Sequence, residues 1–218
     1  MRKQMIDKIL DEKVVAIVRG VYDLDCLNLA KALCAGGVKL MEVTFDQKSY
    51  EERIKTANTI QLLTKEMGDK MAFGAGTVTT VEMVEMAKEA GAQFIISPDT
   101  NESVIRRTVE LDMVSIPGGF TPTEMAQAYN WGADFVKVFP ANFMGPSYFK
   151  TVSAPLSQVR MLAVGGVDGA NVKNYMAAGA VGVGVAGCLF KKDWIAAGDW
   201  SRITEATQTF MKTVQSSQ

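Results

Sequence analysis

The amino-acid sequence predicts an α/β fold, a (β/α)8 TIM barrel with a short N-terminal helix. Short apolar, β-branched runs recur eight times along the 218 residues, and Ala-, Glu-, Lys- and Met-rich stretches with helical periodicity separate most of them. No Pro- or Ser-rich linker or low-complexity run divides the chain, so we expect residues 1–218 to form one domain. An open, doubly wound sheet is the alternative.

The eight candidate strands are flanked by glycines or turn-forming residues. In order, they are VVAIV from Val14, VKLMEVTF from Val38, MAFGAG from Met71, QFIIS from Gln93, MVSIPG from Met113, DFVKVF from Asp134, RMLAVGG from Arg160 and VGVGVA from Val181. Four strands follow a repeated signature in which a helix ends, a glycine follows and a buried strand begins. The glycines predicted to cap these helices in a left-handed conformation are Gly36, Gly91, Gly132 and Gly179.

The composition excludes several classes of function. The chain contains no histidine, which removes imidazole-based catalysis and the usual His-ligated zinc sites. A net charge of −1 argues against binding to nucleic acid or to an anionic membrane surface, so a small molecule is the expected partner. Three widely spaced cysteines, a charged N-terminus without a signal-peptide core and the lack of a membrane-length apolar run predict a cytoplasmic protein.

The sixth candidate strand carries the most informative residue. Period-two alternation places Val136 and Val138 on one face and Phe135, Lys137 and Phe139 on the other. If the valines pack under the helices, Lys137 points into the barrel, where burial favours the neutral amine that imine formation requires. The alternative is a lysine that extends to the rim and keeps its ammonium in water. Lys137 is therefore a candidate Schiff-base residue.

Each of the first four candidate strands also has a candidate site residue within it or directly after it. Glu42 lies in the middle of the second strand on its inward face, where it could carry protons for Lys137 or form a structural ion pair. Arg19 ends the first strand and could bind a carboxylate or phosphate, or lie on the surface. Thr77 offers a hydroxyl after the third strand, and Pro98 shapes the rim after the fourth.

The seventh and eighth candidate strands end in glycine-containing turns. They read VGGVD from Val164 and VAGC from Val185. TIM barrels commonly bind phosphate here through backbone N–H groups, although tight turns that need glycine would give the same pattern.

Taken together, VVAIVRG, GGVKLMEVTF, FGAGTV, FIISPDT, IPGGFTPTEM, GADFVKVFPA and LAVGGV resemble the class I aldolases acting on 2-keto-3-deoxy-6-phosphogluconate (KDPG), its galactonate epimer (KDPGal) and 4-hydroxy-2-oxoglutarate (KHG). The resemblance implies an imine on Lys137, acid–base catalysis by Glu42, and a homotrimer in Entner–Doudoroff-type carbohydrate metabolism without metal or cofactor. It also implies roles in binding for a larger set. Arg19 and Thr77 would hold the pyruvyl part, and Pro98 and Phe139 would also contact the substrate. Gly165, Gly166, Ala186 and Gly187 would bind a phosphate.

Three positions depart from the family pattern. Asp46 stands where some members have a carboxylate-binding arginine, which leaves Arg19 as the expected partner. Val164 replaces the threonine of gluconate-type members, as in galactonate-type members. Gly187 stands where many have a phosphate-binding serine, so a phosphate would be held by backbone amides alone.

We therefore expect a lyase that reversibly cleaves a 2-keto-3-deoxy-6-phospho-sugar acid into pyruvate and glyceraldehyde 3-phosphate. KHG, cleaved into pyruvate and glyoxylate, is a second candidate substrate. Two alternatives use the same residues differently. In a sugar-phosphate isomerase or epimerase, Glu42 would abstract a proton and Lys137 would act only by its charge. In a non-catalytic sensor, the barrel would bind pyruvate or a sugar acid without turnover.

Overall fold

A computed structural model describes residues 2–216 as a closed parallel barrel surrounded by helices. The strands are β1 (Val14–Val18), β2 (Leu40–Thr44), β3 (Ala72–Gly76), β4 (Phe94–Ile96), β5 (Val114–Ile116), β6 (Gly118–Gly119), β7 (Val136–Val138), β8 (Met161–Val164) and β9 (Gly182–Val185). The helices are α1 (Arg2–Glu12), α2 (Asp23–Ala35), α3 (Tyr50–Met67), α4 (Val81–Glu89), α5 (Glu102–Glu110), α6 (Pro122–Asn130), α7 (Ala141–Met144), α8 (Pro146–Ser153), α9 (Val172–Ala177), α10 (Lys192–Ala196) and α11 (Trp200–Gln215).

The barrel closes through its fifth predicted strand, which Pro117 divides into β5 and β6. The sheet runs in the order β5-β4-β3-β2-β1-β9-β8-β7-β6 with every pairing parallel. Across the junction, the Lys137 amide donates to the Pro117 carbonyl at 2.8 Å, and the Ser97 amide donates to the Ile116 carbonyl at 3.2 Å. The predicted (β/α)8 barrel and its eight strand positions are thus confirmed, and the open sheet is excluded.

The apolar residues form two layers. The larger cluster lies between the strands and the outer helices, whereas a smaller one fills the barrel interior. Met5 and Ile9 of α1 belong to the inner cluster, together with inward residues such as Leu40 and Phe94. The predicted N-terminal helix therefore covers the amino-terminal end of the barrel. With that end filled by apolar side chains, polar groups of the interior are confined to the carboxyl-terminal end.

The glycines that follow the helices show one error in the sequence prediction. Gly91, Gly132 and Gly179 have φ values of 87°, 101° and 103°, which confirms the left-handed caps. Gly36 is right-handed with φ of −77°, and Gly37 makes the turn at 105°. Gly36 is needed for a different reason, because a Cβ there would lie 2.4 Å from the Cβ of Thr207 on α11.

Among residues 2–216, none of the helices combines the length and the apolar character that crossing a membrane requires.

Candidate active site

One cavity of about 510 Å³ opens at the carboxyl-terminal ends of the strands, and every predicted site residue lines it. These residues are Arg19, Glu42, Thr77, Pro98, Lys137, Phe139, Gly165, Gly166, Ala186 and Gly187. Another cavity, of about 430 Å³, lies at the opposite end between α1 and the loops before β4 and β5, and none of these ten residues lines it. The fold thus brings together side chains and turns from seven of the eight βα units.

Lys137 lies in the middle of β7 and points into the cavity. Lys137 is only 7% exposed, which argues against the alternative of an ammonium group extended into water. The Nζ atom lies 5.0 Å from the centroid of the Phe139 ring, and within residues 2–216 it makes no hydrogen bond or salt bridge. The Phe139 ring is 42% exposed and lies where the cavity opens. The amine is therefore sheltered, and no described residue forms a hydrogen bond or salt bridge with its nitrogen.

Glu42 is the buried acid of the site, at 1% exposure in the middle of β2. Its side chain fits there because Gly76, which pairs with Thr44 on β2, has no side chain: a Cβ at Gly76 would lie 2.4 Å from Glu42 Oε1. Burial raises the pKa of the Glu42 carboxyl above its ordinary value, and the positive charges of Lys137 and Arg19 oppose that rise without cancelling it. A raised pKa suits a carboxyl group that must both accept and donate protons near neutral pH.

Arg19 and Thr77 face each other across the cavity mouth. The Nη2 atom of Arg19 donates to Thr77 Oγ1 at 2.9 Å. Thr77 has a φ of 57°, in the left-handed region that β-branched residues rarely adopt. Such a conformation costs about 1–3 kcal/mol and persists only where neighbouring contacts hold it. The strained residue therefore presents its hydroxyl to the guanidinium group.

The opposite side of the cavity consists of backbone. Gly165 and Gly166 have φ values of 96° and 71°, and a Cβ on Gly166 would lie 2.5 Å from the Cβ of Asn142. In the neighbouring turn, the Leu189 amide donates to the Ala186 carbonyl at 2.8 Å. Within the described chain, the Gly187 amide donates to no backbone carbonyl. This N–H group can bind an anion.

Some residues of the site were not predicted. Asp168 and Cys188 also line the cavity, and burial raises the pKa of the Cys188 thiol to about 11. Gln47 lies beside the mouth, where its Nε2 donates to the Thr77 carbonyl at 2.9 Å. No motif could have identified Gln47, because its partner lies 30 residues further along the chain in another loop.

The three departures from the family pattern are also located. Asp46 turns onto its own loop, where Oδ1 accepts a hydrogen bond from the Lys48 amide at 2.9 Å. Val164 and Gly187 both line the cavity. Gly187 has space beside it, since an added Cβ would have no atom within 4 Å.

Comparisons with known proteins agree with this geometry. The family model "KDPG and KHG aldolase" matches residues 5–206. A 2-dehydro-3-deoxy-phosphogluconate aldolase of Treponema pallidum is 34% identical, and the match covers 93% of each chain. A 2-dehydro-3-deoxy-6-phosphogalactonate aldolase of Escherichia coli is 33% identical over 82% of this chain and 84% of the relative. A KDPG aldolase of Legionella pneumophila, solved with pyruvate captured as a covalent carbinolamine, superposes with a TM-score of 0.80 at 27% identity, covering 93% of this chain and 96% of that one.

Proposed function

This chain belongs to the family of KDPG and KHG aldolases, and from that premise we propose that Lys137 and Glu42 cleave a 2-keto-3-deoxy-6-phospho-sugar acid into pyruvate and glyceraldehyde 3-phosphate. One observation carries the assignment of the residues: a buried amine and a buried carboxyl group share a single cavity at the carboxyl-terminal end of a barrel whose interior contains an apolar cluster. The family favours an aldolase over the isomerase, epimerase and sensor alternatives.

The reaction begins when the neutral amine of Lys137 attacks the C2 carbonyl carbon of the substrate. Glu42 donates a proton to the developing alkoxide and takes one from the positively charged nitrogen, which gives the neutral carbinolamine. Glu42 then passes this proton to the hydroxyl group, which leaves as water and yields a protonated imine. Because this imine carries a positive charge next to C3, it can accept the electron pair of the bond that breaks next.

Cleavage then follows from the same pair of side chains. The Glu42 carboxylate removes the proton of the C4 hydroxyl, the C3–C4 bond breaks, and its electrons move into the imine to give an enamine. The aldehyde leaves, C3 takes a proton from Glu42, and water hydrolyses the imine to release pyruvate. The raised pKa of the Glu42 carboxyl makes its protonated form easier to reach, which suits one group that makes these transfers in turn.

The remaining residues have binding roles in this proposal. Arg19 pairs with the substrate carboxylate, and the Thr77 hydroxyl, which already accepts from Arg19, lies beside it. Pro98 and Phe139 lie at the rim of the cavity and enclose the pyruvyl part of the substrate. Backbone amides around Gly165, Gly166, Ala186 and Gly187 bind the phosphate. KHG, which lacks a phosphate, is the competing substrate.

Two further expectations belong to the proposal. A homotrimer is expected from the family resemblance. A cytoplasmic location agrees with the three cysteines, Cys26, Cys34 and Cys188, all of which are free thiols in the structure.

Trapping with borohydride tests the proposed chemistry directly. The protein is incubated with pyruvate, the imine is reduced, and peptide mass spectrometry locates the adduct. We expect one pyruvyl adduct on Lys137. An adduct on another lysine, or none, contradicts the mechanism, whereas an adduct without turnover of any keto acid favours a sensor. Comparing kcat/KM for KDPG, KDPGal and KHG then identifies the aldehyde half, and a marked preference for KHG would contradict the phosphate site.

A further inference from the structure

We propose that Gln47 is a positioning residue that acts through Thr77 to hold Arg19 in place for the substrate carboxylate. The inference rests on the proposed function, in which Arg19 binds that carboxylate. It adds a residue on a loop that contributes no side chain to the cavity wall.

Gln47 joins two loops at the mouth of the barrel. It lies between β2 and α3, and its Nε2 donates to the Thr77 carbonyl at 2.9 Å. Its Oε1 accepts a hydrogen bond from Thr79 Oγ1 at 3.3 Å. Nε2 also contacts Met83 Sδ at 3.8 Å. One amide side chain thus contacts the loop after β3 on both sides of Val78 and reaches α4.

The contact falls on the residue that most needs support. Thr77 is β-branched and left-handed, with a φ of 57°, so its conformation depends on its neighbours. Gln47 binds the carbonyl of Thr77 itself and fixes the orientation of that peptide group. The Thr77 hydroxyl is then placed to accept from Arg19 Nη2 at 2.9 Å.

Arg19 depends on this arrangement because it is exposed and otherwise unrestrained. Within residues 2–216, Thr77 is its only hydrogen-bond partner, and it has no salt bridge. Holding a long, flexible side chain in its binding geometry before the ligand arrives lowers the entropic cost of binding. Asp46, on the same loop as Gln47, provides no substitute, since its carboxylate contacts Lys48.

A double-mutant cycle tests the route through Arg19. The variants are Gln47→Met, which keeps length and the contact with Met83 but removes the donor, Arg19→Met, and the double variant. Lys48→Met is the matched control, because Lys48 is 85% exposed on the same loop and bonds to nothing at Thr77. For each variant we would measure the pyruvate concentration that gives half-maximal trapping on Lys137, together with KM and kcat for keto-acid cleavage.

We expect Gln47→Met to raise the half-maximal pyruvate concentration and KM about fivefold, as the loss of one hydrogen bond would, with kcat changed less than about twofold. In the Arg19→Met background it should cause no further rise, and Lys48→Met should match the wild type. No rise in the single variant, or the same rise in both backgrounds, overturns the inference while leaving the proposed function intact.

Two further arms complete the test. If Gln47→Met does not fold, Gln47→Glu replaces it, since a carboxylate of the same size cannot donate to the Thr77 carbonyl; it should give at least the same rise. Trapping with the wild-type protein tests the proposed function itself. If the wild type forms no pyruvyl adduct on Lys137, the proposed function is overturned, and the role proposed for Gln47 is overturned as well.

Discussion

The two ends of the cavity are built differently. The end proposed for pyruvate consists of side chains: Lys137 and Glu42 on the central strands, with Arg19 and Thr77 at the mouth. The end proposed for phosphate consists of backbone turns around Gly166 and Gly187, and none of its lining residues is cationic. In the proposed function, the chemistry therefore depends on a few side chains, whereas the choice of aldehyde depends on turns that a single substitution can alter.

The largest effect is expected from removing the amine at the side-chain end. Lys137→Met should lower kcat by about 10⁴-fold or more and abolish pyruvate trapping, because no imine can form. The fold should be retained, since methionine has a similar length and suits an apolar interior. Lys150→Met, an exposed lysine on α8, is the control and should behave as the wild type. Substantial turnover by Lys137→Met would contradict the role of Lys137 and would mean that another group in the cavity performs the chemistry.

Removing the proton carrier should have the next largest effect. Glu42→Gln keeps the size of the side chain but cannot shuttle protons, so kcat should fall by about 10²- to 10⁴-fold. The adduct should still form on Lys137, more slowly, as measured by trapping over time. Unchanged turnover would contradict the role of Glu42 as the proton carrier.

Substitution at the backbone end should change the substrate and leave the chemistry intact. Gly187→Ser has room for its side chain and adds a hydroxyl donor, so kcat/KM for KDPG or KDPGal should rise about tenfold, as expected for a hydrogen bond to a charged group. Half-maximal trapping by pyruvate should not change. Gly187→Ala is the control, with no donor to add; an equal rise in both variants would refute phosphate binding at this turn.

The smallest effect concerns stability and pH. Because the pKa of Glu42 is raised in the folded protein, the folded state binds more protons than the unfolded state between the ordinary and the raised pKa. The contribution of Glu42 to stability is therefore present at low pH and is lost as pH rises through that window. Glu42→Gln should remove this loss of stability. In urea unfolding, the free energy of unfolding of the variant should therefore rise relative to that of the wild type as pH increases from 4 to 8. If the variant instead gained stability relative to the wild type as pH falls, this would contradict a raised pKa of the Glu42 carboxyl.

Much of the site followed from the sequence because a strand has a period of two. Once β2 and β7 are recognised, Glu42 and Lys137 must lie on the faces opposite Val43 and Val138, and a barrel brings inward residues together. Local signals were less complete. The GG pair at the end of α2 predicted a left-handed turn, but Gly37 adopts it, whereas Gly36 makes room for the close approach of Thr207.

The sequence by itself determined the alternation of strands and helices, the inward set of residues and the resemblance that implied an aldolase, because these are properties of local periodicity and of ordered motifs. Only the tertiary structure decided that Pro117 divides the fifth strand, that Thr77 is left-handed and that Gln47 supports it. These features depend on contacts between loops distant in sequence, and such contacts leave no periodic pattern along the chain.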